Sequence, residues 1–191
     1  MKPHRYHLLV PFFLAIAGVV PLAAAQTKSY YPSTLGMTWR FSNGETQKFI
    51  QPQTVKGLRM TTLMHSFGSQ IVQLDYLEYS KEGVFLKGSK VGGKLTWYEP
   101  KLMLYPPPPI TVGLQWKSSA HVDKKNVIEY VGHVVGQEAV VNPAGRFNAF
   151  VIRTDIQTSS GAQNTLYTYF VPTLGPVKWV TSDGTSVNLV K

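Results

Sequence analysis

The sequence predicts an all-β protein: an antiparallel, strongly curved sheet or open barrel built from two similar halves. Three observations predict it. Short runs of alternating apolar and polar residues follow one another, separated by Gly-containing turns, and no segment carries a capped helical stripe. An aromatic strand runs into a Pro/Gly corner at Tyr167–Val180, with a fainter copy at Tyr76–Phe85. The order Gly-x-x-Trp-basic occurs at Gly36-Met37-Thr38-Trp39-Arg40 and again at Gly113-Leu114-Gln115-Trp116-Lys117. The expected halves, 30–105 and 110–191, meet at the proline run Pro106–Pro109.

The elements follow in order. Met37, Trp39 and Phe41 alternate with Thr38, Arg40 and Ser42, a period of two. Asn43-Gly44 then predicts a two-residue type I′ hairpin, because both residues tolerate positive φ. Such a turn sets Phe41 opposite Thr46, Trp39 opposite Lys48 and Met37 opposite Ile50. Leu58–His65 and Gln70–Tyr79 read as strands around Phe67-Gly68-Ser69. Ser80-Lys81-Glu82-Gly83 turns into Val84-Phe85-Leu86, and Gly92-Gly93 separates that strand from Leu95–Tyr98. Pro100 is expected to close the first half. Tyr105 and the prolines after it are expected outside any central strand, since proline donates no ladder hydrogen bond. The run reads as extended polyproline II, a stiff surface connector or a ligand for an aromatic groove.

In the second half, Gln115–Val122 and Val127–Val135 read as strands, with a short helix over Ser118–Asn126 as an alternative. Asn142-Pro143-Ala144-Gly145 is a turn before Phe147–Ile156. Ser159-Ser160-Gly161 leads to Thr165–Val171. Asp183-Gly184 joins Pro176–Thr181 to Thr185–Val190 as a last hairpin.

The N-terminus predicts a secretory signal peptide over 1–25. Lys2 and Arg5 form a basic region, Leu8–Val20 is almost wholly apolar, and Ala23-Ala24-Ala25 supplies the small-residue cleavage pattern before Gln26. The apolar run falls short of the roughly 20 residues that span a bilayer. What remains, 26–191, is expected to be a single β-rich domain outside the cytoplasm, periplasmic or secreted, with no transmembrane segment. The chain has no cysteine, which excludes disulfides, thiol chemistry, thiolate metal sites and a lipid-modified cysteine. Of 19 basic and 10 acidic residues, only Lys2 and Arg5 leave with the leader, so a positive balance remains. Such a balance favours anionic partners or serves solubility. The basic residues are scattered, Lys124-Lys125 being the one adjacent pair.

Tyr30-Tyr31-Pro32-Ser33-Thr34-Leu35-Gly36-Met37-Thr38-Trp39 resembles the opening of a broad group of uncharacterised bacterial exported β-rich proteins and lipoproteins. Tyr169-Phe170-Val171-Pro172-Thr173-Leu174-Gly175-Pro176-Val177-Lys178 is similar to the group's closing motif, Phe-x-Pro-x-x-Gly-x-Val. The resemblance implies a β-rich exported protein and supplies no catalytic residues. The missing cysteine sets this chain apart from the lipoprotein members.

The search for chemistry returns little. His121-Val122-Asp123 places two ligand types on one strand face, and His133 could approach from a neighbour, but no H-E-x-x-H or similar spacing supports a metal. No metal and no cofactor are expected. No G-x-S-x-G elbow or phosphate-cradling loop occurs. Asp75 and Glu78 are a carboxylate pair of odd spacing, which a strand directs to opposite faces. Glu99 beside Trp97 and Tyr98 has a sugar-site composition, which aromatic core packing explains better. Nucleic acid is disfavoured as a partner, because aromatics and basic residues do not cluster. The aromatics Trp39, Trp97, Tyr98 and Trp116 are the candidate ligand-binding residues, with no catalytic residue proposed. The expected function is an exported, non-catalytic binding module for a lipid-like ligand, an envelope component or a protein partner. A hydrolase of envelope polymer and a structural part of an envelope assembly are the alternatives.

Overall fold

A computed structural model describes residues 29–122 and 126–191. The expected signal peptide over 1–25, Asp123 and the Lys124-Lys125 pair lie outside the described residues. Twelve strands form one antiparallel sheet in strict chain order. They are β1 (Thr38–Arg40), β2 (Glu45–Val55), β3 (Leu58–Phe67), β4 (Gln70–Ser80), β5 (Gly83–Val91) and β6 (Lys94–Tyr105), then β7 (Gln115–His121), β8 (Val127–Asn142), β9 (Gly145–Thr158), β10 (Gln163–Val171), β11 (Gly175–Thr181) and β12 (Ser186–Asn188). No helix occurs among the described residues. Ser118–His121, where a short helix was the alternative, are strand.

The sheet curls until its first and last strands meet. Phe41 bridges Leu189, and Val190 N–H donates to Arg40 O at 2.8 Å. One bridge is not a ladder, so the sheet is not closed into a barrel. Within the curl, Trp39, Phe41, Phe49, Leu77, Ala149, Val177 and Leu189 form one buried cluster drawn from both ends of the chain. Tyr31, Val84, Ile110, Trp116, Val134, Ile152 and Phe170 form a second. A smaller third cluster, Met60, Tyr76 and Trp97, lies on the opposite face of the first strands, since Tyr76 alternates with Asp75 and Leu77 along β4.

The first hairpin corrects the expected register. Asn43 does not adopt positive φ; only Gly44 does, at 86°. Gly44 N–H donates to Phe41 O and Phe41 N–H to Glu45 O, giving a three-residue loop that ends in a left-handed glycine. Trp39 therefore faces Gln47, not Lys48. A one-residue slip exchanges the faces of a strand, and here it puts Phe49 and Gln47 inside with Trp39.

Two prolines lie within strands, each in a ladder irregularity. β2 shifts register between Ile50 and Gln53, around Pro52, and β6 between its pairings Trp97–Gly88 and Leu102–Leu86, around Pro100. At a bulge the missing N–H costs no ladder bond. Pro100 thus does not end its strand, which runs on to Tyr105, itself paired with Val84. β8 likewise continues past Val135 to Asn142 by bulging between Val134 and Gly136.

The connector after β6 is anchored at both ends. Pro106 and Ile110 are buried while Pro107, Pro108 and Pro109 are exposed. Tyr31 OH donates to Pro106 O at 2.8 Å, and Ile110 N–H donates to Tyr30 OH at 3.1 Å. Tyr79 OH donates to Pro32 O at 2.7 Å, and Thr173 N–H to Tyr30 O at 2.8 Å. Tyr30-Tyr31-Pro32 is therefore a strap across one end of the curl.

The two Gly-x-x-Trp turns are built alike. Gly36 and Gly113 have φ of 83° and 91°. Gly36 N–H donates to Phe49 O and Gly113 N–H to Val134 O, both at 2.8 Å.

Candidate functional site

Alternation along the strands points one row of side chains into the curl, and the row does not fill it. A cavity of about 160 Å³ remains. Trp39, Phe49, Leu63, Leu77 and Phe170 form much of its apolar wall, and Tyr31 and Pro32 of the strap close one end. Tyr31 stacks on Tyr105 with centroids 5.1 Å apart, which makes that end stiff.

Polar side chains line the same cavity, among them Gln47, Asp75, Tyr31, Tyr79 and Tyr105. Burial drives the Tyr105 phenol well above the ordinary tyrosine range, and Tyr79 and Tyr31 likewise, so all three stay neutral and can donate. Tyr79 and Tyr31 spend their protons on backbone carbonyls.

Behind Gln47 and Asp75 lies a charged group. His65 Nδ1 meets Glu45 Oε1 at 2.8 Å, and Nε2 meets Asp75 Oδ2 at 3.0 Å. The three side chains come from β3, β2 and β4, brought together because Gln47 and Gln73 both stand opposite His65 in the ladder. Gln47 donates to Glu45 at 2.9 Å; Gln73 and Ser89 donate to Asp75 at 2.8 and 2.6 Å. Burial alone would discharge the imidazole, but its bonds to Asp75 and Glu45 outweigh that and raise its pKa to about 9. Burial also opposes charge on Glu45, yet the bonds from His65 and Gln47 hold its carboxyl below the usual range. A histidine protonated at neutral pH with both nitrogens occupied is a brace between strands, and a poor general base.

The structure places the four sequence candidates apart. Trp39 lines the cavity, and its Nε1–H donates to Leu174 O at 2.7 Å. Tyr98 lies beside Ser89 and Asp75, at the rear of the polar group. Trp97 packs over Gly88 on the opposite face, where the ammonium groups of Lys56 and Lys87 sit 5.4 and 5.5 Å from its ring centre. Trp116 is in the second cluster, pressed against Gly132, with its Nε1–H buried and without a partner among the described residues.

Asp75 and Glu78 face opposite ways, Asp75 toward His65 and Glu78 toward Lys101. His133 stands opposite Gln115 at one end of the β7–β8 ladder and His121 opposite Val127 at the other. Among the described residues no group of His, Asp and Glu is placed to hold a metal ion.

No protein-family model matches the chain. No curated protein matches its sequence either. Among solved structures it is similar to a chain from Parabacteroides distasonis described as a "putative lipoprotein", with 13% identity, a TM-score of 0.44, and coverage of 87% of this chain and 99% of that one.

Proposed function

We infer that the chain is an exported, non-catalytic binding module. It takes an apolar segment of an envelope component, a ring or the end of an alkyl chain, into the cavity of its curled sheet. The observation that carries this reading is the cavity itself: about 160 Å³, walled by aromatic and aliphatic side chains, with Gln47, Asp75 and Tyr105 among its polar lining residues. An apolar cavity of about 150 Å³ holds one benzene, whereas sites for whole drug-sized ligands run to roughly 300–1,000 Å³. The volume therefore suits a segment of a lipid-like molecule, with the rest outside. The signal-peptide pattern of residues 1–25 supports export.

Native mass spectrometry of protein purified gently from its own cell envelope tests this. A discrete added mass that disappears on denaturation is expected, and Leu63→Trp, which fills the cavity from its wall, should abolish it. A bare protein mass, or an adduct that Leu63→Trp leaves intact, would overturn the reading.

A further inference from the structure

The turns of the sheet alternate between two ends. One end carries the Tyr30–Pro32 strap. The other carries the loops between β3 and β4 and between β5 and β6, which are neighbours because Gln73 pairs with Val91. Of the large apolar side chains left in solvent, four stand on these two tips: Phe67 (44% exposed), Ile71 (56%), Val91 (54%) and Leu95 (37%). A hairpin turn is where polar residues are cheapest. Phe67-Gly68-Ser69-Gln70-Ile71 and Val91-Gly92-Gly93-Lys94-Leu95 instead frame each turn with apolar residues on both sides. The exposed lysines Lys90 and Lys94 flank the second turn, and neither tip carries an acidic residue. The carboxylates on the strands behind, Glu45 and Asp75, are bound to His65 and leave the lysine charge unanswered.

We propose that these two hairpin tips are the surface by which the protein rests on an anionic lipid bilayer. The four apolar side chains enter the head-group layer and Lys90 and Lys94 meet lipid phosphates. Apolar groups at turns flanked by cations match the interfacial pattern, in which buried apolar area and attraction to anionic lipid add. The charge selects a bilayer over an uncharged apolar protein groove. This surface is separate from the cavity and stands or falls independently of it.

The test is sedimentation of the purified protein with vesicles of phosphatidylglycerol and phosphatidylethanolamine, against vesicles of phosphatidylcholine alone. Partition into the anionic vesicles is expected to exceed the neutral ones at least tenfold and to weaken with salt, each lysine near an anionic surface being worth about fivefold. Lys90→Glu with Lys94→Glu, and separately Phe67→Ser with Val91→Ser, should each lower it at least tenfold. Val141→Ser, at an exposed apolar residue of the opposite end (68% exposed), should leave it unchanged. These positions are exposed, so unaltered circular dichroism and melting temperature are expected for every variant. Absent or charge-independent partition would overturn the proposal. So would loss only in the lysine variant, which leaves a general charge effect. So would self-association, abolished by the tip variants, in a protein that ignores vesicles.

Discussion

The indole N–H of Trp39 donates to the carbonyl of Leu174 at 2.7 Å, joining β1 to the β10–β11 turn across 135 positions of sequence. Trp116, the matching residue of the other Gly-x-x-Trp turn, buries the same group with no acceptor among the described residues. Replacing either by Phe removes one ring and opens a similar void. Only Trp39→Phe also strands a carbonyl, whereas Trp116→Phe removes an unsatisfied donor. Trp39→Phe should therefore be less stable than Trp116→Phe by about 1–2 kcal/mol in urea unfolding. Equal midpoints would contradict the assignment.

The His65 brace makes stability depend on pH in a defined direction. Its pKa is raised to about 9 from an ordinary 6.5. The contribution is full below 6.5, where folded and unfolded chains both hold the proton, and is lost as pH rises through about 9. At about 1.36 kcal/mol per unit, a loss on the order of 2–3 kcal/mol is expected between pH 6 and 9.5. The difference in stability between wild type and His65→Gln should shrink by that amount over the window. Glu45, whose pKa is lowered, adds an acid limb: its contribution is present above about 4.5 and disappears as pH falls.

Gly132 and Gly136 lie four residues apart on β8 and should respond oppositely to alanine. A Cβ on Gly132 would stand 2.2 Å from the Trp116 ring, while one on Gly136 meets nothing within 4 Å. Gly132→Ala forces the buried indole aside and should cost on the order of 2–3 kcal/mol. Gly136→Ala, at an unstrained φ, should be neutral or stabilise by about 0.5 kcal/mol. Thermal melts of the two variants separate these outcomes.

The strap gives a further measurement. Tyr31→Phe leaves the buried Pro106 carbonyl without its donor, and should cost about 1–2 kcal/mol. Hydrogen exchange should show the Ile110 amide, which donates to the neighbouring Tyr30 hydroxyl, losing protection ahead of the central β8 and β9 amides.

Much of the strand pattern was legible because its punctuation is chemical. Gly92-Gly93, Asp183-Gly184 and Asn142–Gly145 mark turns that the sheet makes where expected. What the residues did not announce was register. Asn43-Gly44 is compatible with two loop lengths, and the chain takes the one that buries Phe49 beside Trp39. Pro100 likewise looks like a strand end until a bulge absorbs it. The His65 group was hidden for the same reason: Glu45, His65 and Asp75 lie on three strands and meet only once the pairing is set. The available signal was polar residues at inward positions, with Gln47 two before Phe49 and Asp75 two before Leu77, on faces otherwise apolar. The candidate aromatics turn to different faces, because residue type alone does not say to which face of a sheet Trp39 or Trp97 turns.

The meeting of the sheet's two ends sets an order of events. Ser42 N–H waits for Asn188 O, Arg40 N–H for Lys191 O, and the strap for the β10–β11 turn. Until the last strand arrives, β1 presents an unpaired edge and the first buried cluster lacks Val177 and Leu189. A chain synthesised N-terminus first would thus hold a half-built, adhesive sheet until its last strand is complete. Folding should be correspondingly slow, and a holding chaperone would have most to grip in that interval.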